Sequence, residues 1–212
     1  MGTVDIAERF VSIQGESSYA GLGCFFIRLA GCNLRCTYCD TPGGLCAGQQ
    51  QVDIASILEE ARKSRMPLIE VTGGEPLLQE SFPELVGELL SLVGKTVLVE
   101  TNGSLDTSVI PEGAVAIVDV KCPGSGEGNS FDLMNLKRLR PRDELKFVLS
   151  GRGDYEWARA FVQEHGLFNL ENGIHFSPVS GELDAAQLGA WILEDGLPVR
   201  LQLQLHKLVG MA

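Results

Sequence analysis

The sequence predicts an α/β fold in which a parallel sheet curls into an open, incomplete barrel. Short apolar segments alternate with segments whose apolar residues recur every three or four positions, the pattern of strands joined by amphipathic helices. The strand segments are apolar throughout, as expected when both faces of a parallel sheet are covered. About six to seven such strands occur, and no repeat or linker divides the 212 residues. We therefore expect a single domain over residues 1–212.

The first half of the chain supplies three of these strands and two helices. Apolar residues up to Ile13 indicate an opening strand, and 24–31 is the first strand of the core. A helix over 52–64 follows, because its apolar residues repeat at helical spacing. Pro67 then breaks the chain before a strand over 68–72, and a second helix is expected over 82–92.

The second half continues the alternation to the end of the chain. Strands are predicted over 96–100, 114–120, 144–149, 174–176 and 199–205, and helices over 131–139, 155–165 and 184–193. Ligands of parallel α/β folds bind at the carboxyl ends of the strands. We therefore expect the motifs described below to lie at those ends or on the strand beside them.

Composition excludes several classes of protein. The net charge of −11 argues against a nucleic-acid-binding surface, since such surfaces are usually basic. Six cysteines are too few for a disulfide scaffold, and no apolar run approaches the length of a membrane span. The first residues pass directly into polar and charged positions without a signal sequence. We expect a cytoplasmic protein that binds neither nucleic acid nor membrane.

Three cysteines, Cys32, Cys36 and Cys39, lie in one short segment at spacings of four and three residues. Such a loop can wrap its thiolates around one corner of an inorganic cluster. A structural zinc site takes four closed ligands, whereas a four-iron, four-sulfur cluster held by three cysteines keeps one iron free for a substrate. Two alternatives remain open: a zinc site completed by Cys24 or Cys46, and a redox pair formed by the last two cysteines of the loop.

Two further features indicate ligand binding. Gly73 and Gly74 follow a strand and have no side chains, so that backbone can approach a ligand closely. Arg28 lies inside an apolar strand, where a guanidinium needs a partner. That partner is either an acidic residue in a buried ion pair or the carboxylate of a ligand. The loop over 124–128 lacks the full dinucleotide fingerprint, which argues against Rossmann-type binding.

These motifs together resemble the radical S-adenosylmethionine (SAM) superfamily. Its members carry Cys-x3-Cys-x2-Cys with an aromatic residue before the third cysteine, here Tyr38, and a segment like Gly73-Gly74-Glu75-Pro76. Over nearly its full length the chain resembles the 7-carboxy-7-deazaguanine synthases of that superfamily. The segments that carry this resemblance are 12–16, 26–29, 39–41, 71–76, 100–103 and 206–207.

The resemblance implies a partial TIM-type barrel of the radical SAM type, holding a [4Fe-4S] cluster on Cys32, Cys36 and Cys39. The methionine end of SAM would bind the open iron, and its reductive cleavage would give a 5′-deoxyadenosyl radical. The implied reaction is that of a carbon–nitrogen lyase. It converts 6-carboxy-5,6,7,8-tetrahydropterin to 7-carboxy-7-deazaguanine by hydrogen abstraction, ring contraction and loss of ammonia, on the route to queuosine and related 7-deazapurines.

Site residues carry over from the resemblance position by position, without any assigned acid or base. Thr41 would bind Mg²⁺, a hard ion that prefers oxygen ligands. Substrate contacts are implied for Ile13, Gln14, Gly15, Glu16, Arg28, Thr72, His206 and Ala212, the last through the terminal carboxylate. SAM contacts are implied for Tyr38, Gly74, Asp119, Val120, Lys121, Ser177, Pro178 and Val179.

The chain departs from this pattern in two places. Asp119-Val120-Lys121 stands where many relatives have Ser-Pro-Lys, which adds a carboxylate near SAM, and the segment after Thr41 is short and glycine-rich. Cys24, Cys46 and Cys122 match no cluster position and are interpreted as bystanders.

The resemblance also implies partners, and other functions stay open. An external electron donor such as a flavodoxin or ferredoxin and a second copy in a homodimer are implied. The alternatives are another small radical SAM enzyme, such as a glycyl-radical activase, and a non-catalytic zinc-binding module.

Overall fold

A computed structural model describes residues 2–41, 50–169 and 173–211. Within these residues nine strands form one sheet, in the order β3-β1-β2-β4-β5-β6-β7-β8-β9. The strands are β1 (Thr3–Ile13), β2 (Gly23–Leu29), β3 (Gln51–Asp53), β4 (Leu68–Gly73), β5 (Thr96–Thr101), β6 (Val115–Asp119), β7 (Glu144–Leu149), β8 (Gly173–Pro178) and β9 (Arg200–Leu201). The helices are α1 (Ile54–Lys63), α2 (Phe82–Leu90), α3 (Asn135–Arg138), α4 (Arg152–Glu164), α5 (Ala185–Glu194) and α6 (Leu205–Leu208).

Seven strands of the sheet run parallel, from β2 through β4 to β9. β1 pairs antiparallel with both β2 and β3 and forms an added edge. In the described part of the chain the two ends of the sheet do not pair with each other, so the barrel stays open. The predicted fold class is confirmed. None of the described helices is long and apolar enough to cross a membrane.

The larger hydrophobic core lies between the sheet and the helices outside it. On α1 the buried residues are Ile54, Ile57, Leu58 and Ala61, the set that its helical spacing predicts. Strand residues such as Ile69 and Val97 meet the helices from the sheet side and are fully buried. At about 25 cal/mol per Å² of apolar surface, this layer supplies most of the favourable free energy of folding.

A second, smaller cluster fills the inside of the barrel near the amino ends of the strands. Its buried members are Cys24, Phe26, Leu68, Leu98, Val115 and Ile117, with Phe10 and Tyr19 packed against them. Phe10 stacks on Phe26 with ring centroids 5.0 Å apart. This apolar floor fills the amino-terminal end of the barrel, so the space left among the described residues lies toward the carboxyl ends of the strands.

Three predicted elements differ from those observed. Val52 belongs to β3, which pairs with β1, so the helix begins at Ile54. The helix expected over 131–139 is reduced to α3, because the buried Asn135 side chain donates to the carbonyl oxygens of Gly103 and Leu105 and anchors a turn. The strand expected over 199–205 ends at Leu201, and α6 begins at Leu205.

Candidate active site

A pocket of about 740 Å³ opens at the carboxyl ends of the parallel strands, above the apolar floor. It collects sixteen of the predicted site residues. They are Ile13, Gln14, Gly15, Glu16, Arg28, Cys32, Cys36, Tyr38, Cys39, Thr41, Thr72, Gly74, Asp119, Lys121, Val179 and His206. Side chains that are up to 193 residues apart in sequence (Ile13 to His206) therefore share one cavity.

Four predicted residues do not line this pocket as described. The Val120 side chain is fully buried in the core between sheet and helices. Ser177 is buried inside the barrel, and its hydroxyl has no hydrogen-bond partner among the described residues. Pro178 lines a neighbouring groove. Ala212 lies outside the described residues, as does the glycine-rich segment after Thr41 with Cys46.

The cysteine loop follows β2 and is braced by the loop after β6. Cys32 and Cys36 are half-buried and Cys39 is exposed. The Thr37 amide donates to the Ser125 carbonyl at 2.9 Å, and the Thr37 hydroxyl donates to the Gly124 carbonyl at 2.9 Å. The 124–128 segment, which showed no dinucleotide signature, therefore supports the cysteine loop.

The glycine pair brings the end of β4 against this loop. A Cβ atom on Gly74 would collide with the carbonyl oxygen of Gly31 and would lie 2.7 Å from the Cβ of Cys32. The Glu75 amide donates to the same Gly31 carbonyl at 2.8 Å. Because only a residue without a side chain fits here, the Gly74 backbone faces the cavity directly beside a cysteine.

Burial and charge set the protonation of the groups around the loop. Burial raises the pKa of the Cys32 and Cys36 thiols, and the nearby Lys121 ammonium opposes this for Cys36. Lys121 Nζ lies 2.8 Å from Asp119 Oδ2. Burial alone would raise the pKa of Asp119, but the ammonium groups of Lys121 and Lys146 outweigh it and hold that pKa below its usual value. Asp119 is therefore an anion in the pocket.

Arg28, on β2, has the partner that its position demanded. Its Nε donates to Glu8 Oε1 at 2.7 Å, across the antiparallel pair of β1 and β2. Its Nη1 lies 3.5 Å from Thr41 Oγ1. The ion pair occupies one edge of the guanidinium, and because Arg28 also lines the cavity, other donors remain for an anionic ligand.

Gln14 and Glu16 reach the pocket from an unexpected direction. β1 runs antiparallel to β2, so its end lies at the amino end of β2 and not at the carboxyl ends, where all motifs were expected. From there Gln14 Nε2 donates to Glu70 Oε2, and Lys146 Nζ donates to Glu16 Oε2 at 2.8 Å. The 14–16 segment thus reaches the pocket from the side of the amino ends of the parallel strands.

Helix α6 closes the pocket over this segment. The Leu205 amide donates to the Gly15 carbonyl at 2.9 Å, and a Cβ atom on Gly15 would overlap the His206 ring. Gly15 is therefore required for His206 to pack here. On the other side, Lys207 Nζ pairs with Asp40 at 2.7 Å, next to the cysteine loop. Burial lowers the pKa of His206, which favours a neutral imidazole.

Sequence reasoning missed a charged cluster in the barrel interior. Glu70, Glu100 and Lys146 all line the pocket, yet none was assigned a role. Burial, and then the charge of Glu100, raise the pKa of Glu70 well above its usual value. Each residue is a charged position within an apolar strand, the same signal that identified Arg28, and applying that rule to every strand would have found them.

Comparisons with known proteins agree with this geometry. A model of the radical SAM superfamily matches residues 26–123. The chain is 46% identical to the 7-carboxy-7-deazaguanine synthase of Koribacter versatilis, over 97% of this chain and 96% of that protein. It is 42% identical to the enzyme of the same name from Chlorobaculum tepidum, over 97% of this chain and 94% of that protein.

The fold has a counterpart among solved structures. The crystal structure of QueE from Escherichia coli superimposes with a TM-score of 0.75 and covers 96% of this chain and 95% of that chain. Sequence identity in this pair is 21%, so the comparison concerns the fold alone.

Proposed function

We propose, because this chain belongs to the 7-carboxy-7-deazaguanine synthase family of the radical SAM superfamily, that it converts 6-carboxy-5,6,7,8-tetrahydropterin to 7-carboxy-7-deazaguanine with release of ammonia. The reaction class is that of a carbon–nitrogen lyase acting on a small molecule. The observation that carries the proposal is the single pocket in which the cysteine loop, the glycine pair and the substrate residues meet.

A [4Fe-4S] cluster and SAM fit the residues at the mouth of this pocket. In the described part of the chain no three His, Cys, Asp or Glu side chains converge closely enough to hold one metal ion. Cys32, Cys36 and Cys39 line the same cavity, and they are the residues that would hold the cluster. When bound, the two groups would supply the radical chemistry that removes a hydrogen atom from the substrate.

For SAM itself, we assign the lining around the cysteine loop. Tyr38 is fixed by a hydrogen bond of 3.0 Å from its hydroxyl to the Val148 carbonyl, and the Gly74 backbone is accessible beside Cys32. Lys121 and Asp119 offer opposite charges to the two ends of an amino acid. The remaining assigned contacts are Val120 through its main chain, Ser177, Pro178 and Val179.

For the pterin, we assign the deeper residues. Arg28 binds the carboxylate through donors that Glu8 leaves free. Gln14, Glu16 and Thr72 contact the polar edge of the ring, with Ile13 and Gly15 as backbone neighbours and His206 above. Thr41, beside Arg28, contributes an oxygen to Mg²⁺. One protein oxygen is enough, because Mg²⁺ keeps several of its waters and takes few protein ligands.

The proposed enzyme also has an electron donor, an oligomeric state, a location in the cell and a domain organisation. The enzyme takes electrons from an external donor such as a flavodoxin or ferredoxin. It works as a homodimer in the cytoplasm. Residues 1–212 act as one radical SAM domain, which the single sheet of the described residues supports.

The test is direct. Anaerobically reconstituted and reduced protein is incubated with SAM, Mg²⁺ and 6-carboxy-5,6,7,8-tetrahydropterin, and the mixture is examined for 7-carboxy-7-deazaguanine and 5′-deoxyadenosine. Formation of both supports the proposal. SAM cleavage without the deazaguanine would place the chain elsewhere in the superfamily, as with a glycyl-radical activase. Bound zinc without acid-labile sulfide would support a zinc-binding module instead.

A further inference from the structure

Lys146 is the centre of the charged cluster that lines the base of the pocket. It lies on β7 between Leu145 and Phe147, in register with Asp119 on β6, and its side chain is 6% exposed. An ammonium has three donors and no acceptor. The structure supplies two acceptors, Glu16 Oε2 at 2.8 Å and Glu100 Oε1 in a shorter contact, and a third ion-pair partner, Asp119 Oδ2, at 3.6 Å.

Each of the three carboxylates comes from a different part of the chain and keeps a second oxygen. Glu16, from the loop after β1, uses Oε1 to accept from Gln204 Nε2 at 2.8 Å. Glu100, on β5, uses Oε2 to accept from the Thr72 hydroxyl at 3.3 Å. The second oxygen of Asp119 is buried without a partner among the described residues. Lys146 therefore holds one oxygen of Glu16 and one of Glu100, and both residues line the cavity.

Glu70 shows what burial does to a carboxyl group here when Lys146 does not touch it. Glu70 and Glu16 line the same cavity, yet their pKa values move in opposite directions. Burial, and then the charge of Glu100, raise the pKa of Glu70. The same burial acts on Glu16, but the direct contact with Lys146 outweighs it and lowers the pKa. Direct contact with the ammonium is thus the difference between Glu16 and Glu70.

We propose that Lys146 is a positioning residue, whose ammonium keeps Glu16 ionised and holds both Glu16 and Glu100 oriented to accept hydrogen bonds from the amino-pyrimidine edge of the substrate. The inference rests on the proposed function. A pterin edge presents N–H donors, and an ionised carboxylate accepts them in strong, charge-assisted hydrogen bonds. A protonated carboxyl would present an O–H donor at one oxygen and only a neutral carbonyl acceptor at the other.

Other charged groups around Lys146 bear on the test. Those that interact with it are Glu16, Asp40, Glu70, Glu100, Asp119 and Lys121. On the far side, His175 of β8 is in register with Lys146 and is paired with Glu144 at 2.8 Å. Removing Lys146 leaves Lys121 as the one ammonium among these groups, and without its ion pair the pKa of Glu16 should rise.

The experiment compares Lys146→Met, which removes the charge, with Lys146→Arg, which keeps it. The kcat and KM for 6-carboxy-5,6,7,8-tetrahydropterin are measured at several pH values between about 6.5 and 8.5 and expressed relative to wild type. Cleavage of SAM in the absence of substrate reports that cluster and SAM sites are intact.

We expect Lys146→Met to raise KM by roughly 10–100-fold at the acid end and to recover as the pH rises, because the carboxyl groups then ionise without help. Lys146→Arg should show a KM ratio that does not vary with pH. A flat ratio for Lys146→Met, or a loss in Lys146→Arg with the same pH dependence, would overturn the inference.

One further variant and one outcome for the wild type complete the test. If Lys146→Met does not fold, Glu16→Gln replaces it, since that variant makes the acceptor neutral at every pH. It should raise KM without any recovery at high pH, and unchanged KM would refute the role of an ionised Glu16. A wild-type protein that cleaves SAM but never converts the pterin would instead refute the proposed function, and the substrate role of Lys146 with it.

Discussion

The buried carboxylate of Glu75 ties the end of β4 to the end of β5, and removing it should destabilise the fold. Glu75 is 0% exposed. Its Oε2 accepts from the Asn102 amide at 2.7 Å, and its Oε1 accepts from the Thr101 hydroxyl at 2.8 Å and from the Leu77 amide at 3.1 Å. The motif glutamate thus supports the loops of the site from behind, while the Gly73 and Gly74 backbone faces the cavity.

The size of the effect follows from these contacts. Burial raises the pKa of Glu75 against the opposing effect of its three donors, so we count each hydrogen bond at the neutral value of about 1 kcal/mol. Glu75→Ala also leaves the Asn102 amide buried without an acceptor, which costs a further 1–3 kcal/mol or so. The sum is about 4–6 kcal/mol, or a fall in Tm of roughly 8–24 °C for a chain of this size.

Urea unfolding followed by the fluorescence of Trp157 and Trp191 measures this loss. The matched control is Glu80→Ala, which removes an exposed carboxylate five residues away and should change the free energy of unfolding by less than about 0.5 kcal/mol. Glu75→Gln keeps one oxygen acceptor and should fall between the two. A Glu75→Ala variant as stable as the control would show that these hydrogen bonds carry no net stability.

Three further predictions concern the site and the surface. Cys36→Ala should abolish the brown chromophore and SAM cleavage, whereas the control Cys24→Ala should keep both. Visible spectra measure the chromophore, and assays for 5′-deoxyadenosine measure the cleavage. A full cluster in Cys36→Ala would contradict the assignment. Adding Mg²⁺ should raise the activity of the wild type, and it should raise the activity of Thr41→Ala much less. If both proteins respond equally to Mg²⁺, the Thr41 hydroxyl has only a local structural role. Hydrogen bonds, chiefly from the Tyr155 hydroxyl, lower the pKa of Asp195, so its stabilisation is present at neutral pH and is lost as the pH falls through the folded-state pKa. The Tm difference between wild type and Asp195→Asn should therefore narrow from about pH 7 to about pH 3, and a constant difference would contradict the pairing.

The local part of this protein can be predicted from its sequence. Three cysteines within eight residues must lie close together in any fold, and a glycine pair after a strand permits close backbone approach wherever that strand lies. Apolar periodicity predicted the buried face of α1 because helical spacing is set by the backbone. The fold class and the family followed from such short-range signals, and both are confirmed.

Only the tertiary structure decided how distant segments meet. The direction of β1 placed Gln14 and Glu16 below the pocket, and nothing in their own sequence sets whether a strand pairs parallel or antiparallel. Likewise the start of α6 contacts a distant segment, since the Leu205 amide donates to the Gly15 carbonyl about 190 residues earlier.

The charged cluster shows the physical reason. A lysine in an apolar strand indicates that some partner exists, but not which one, since the free energy of a buried ammonium is set by neighbours from other strands. For Lys146 those neighbours come from the loop after β1, from β5 and from β6. The sequence therefore determined which chemical groups this protein carries, and the tertiary structure decided which of them are paired, ionised and turned toward the substrate.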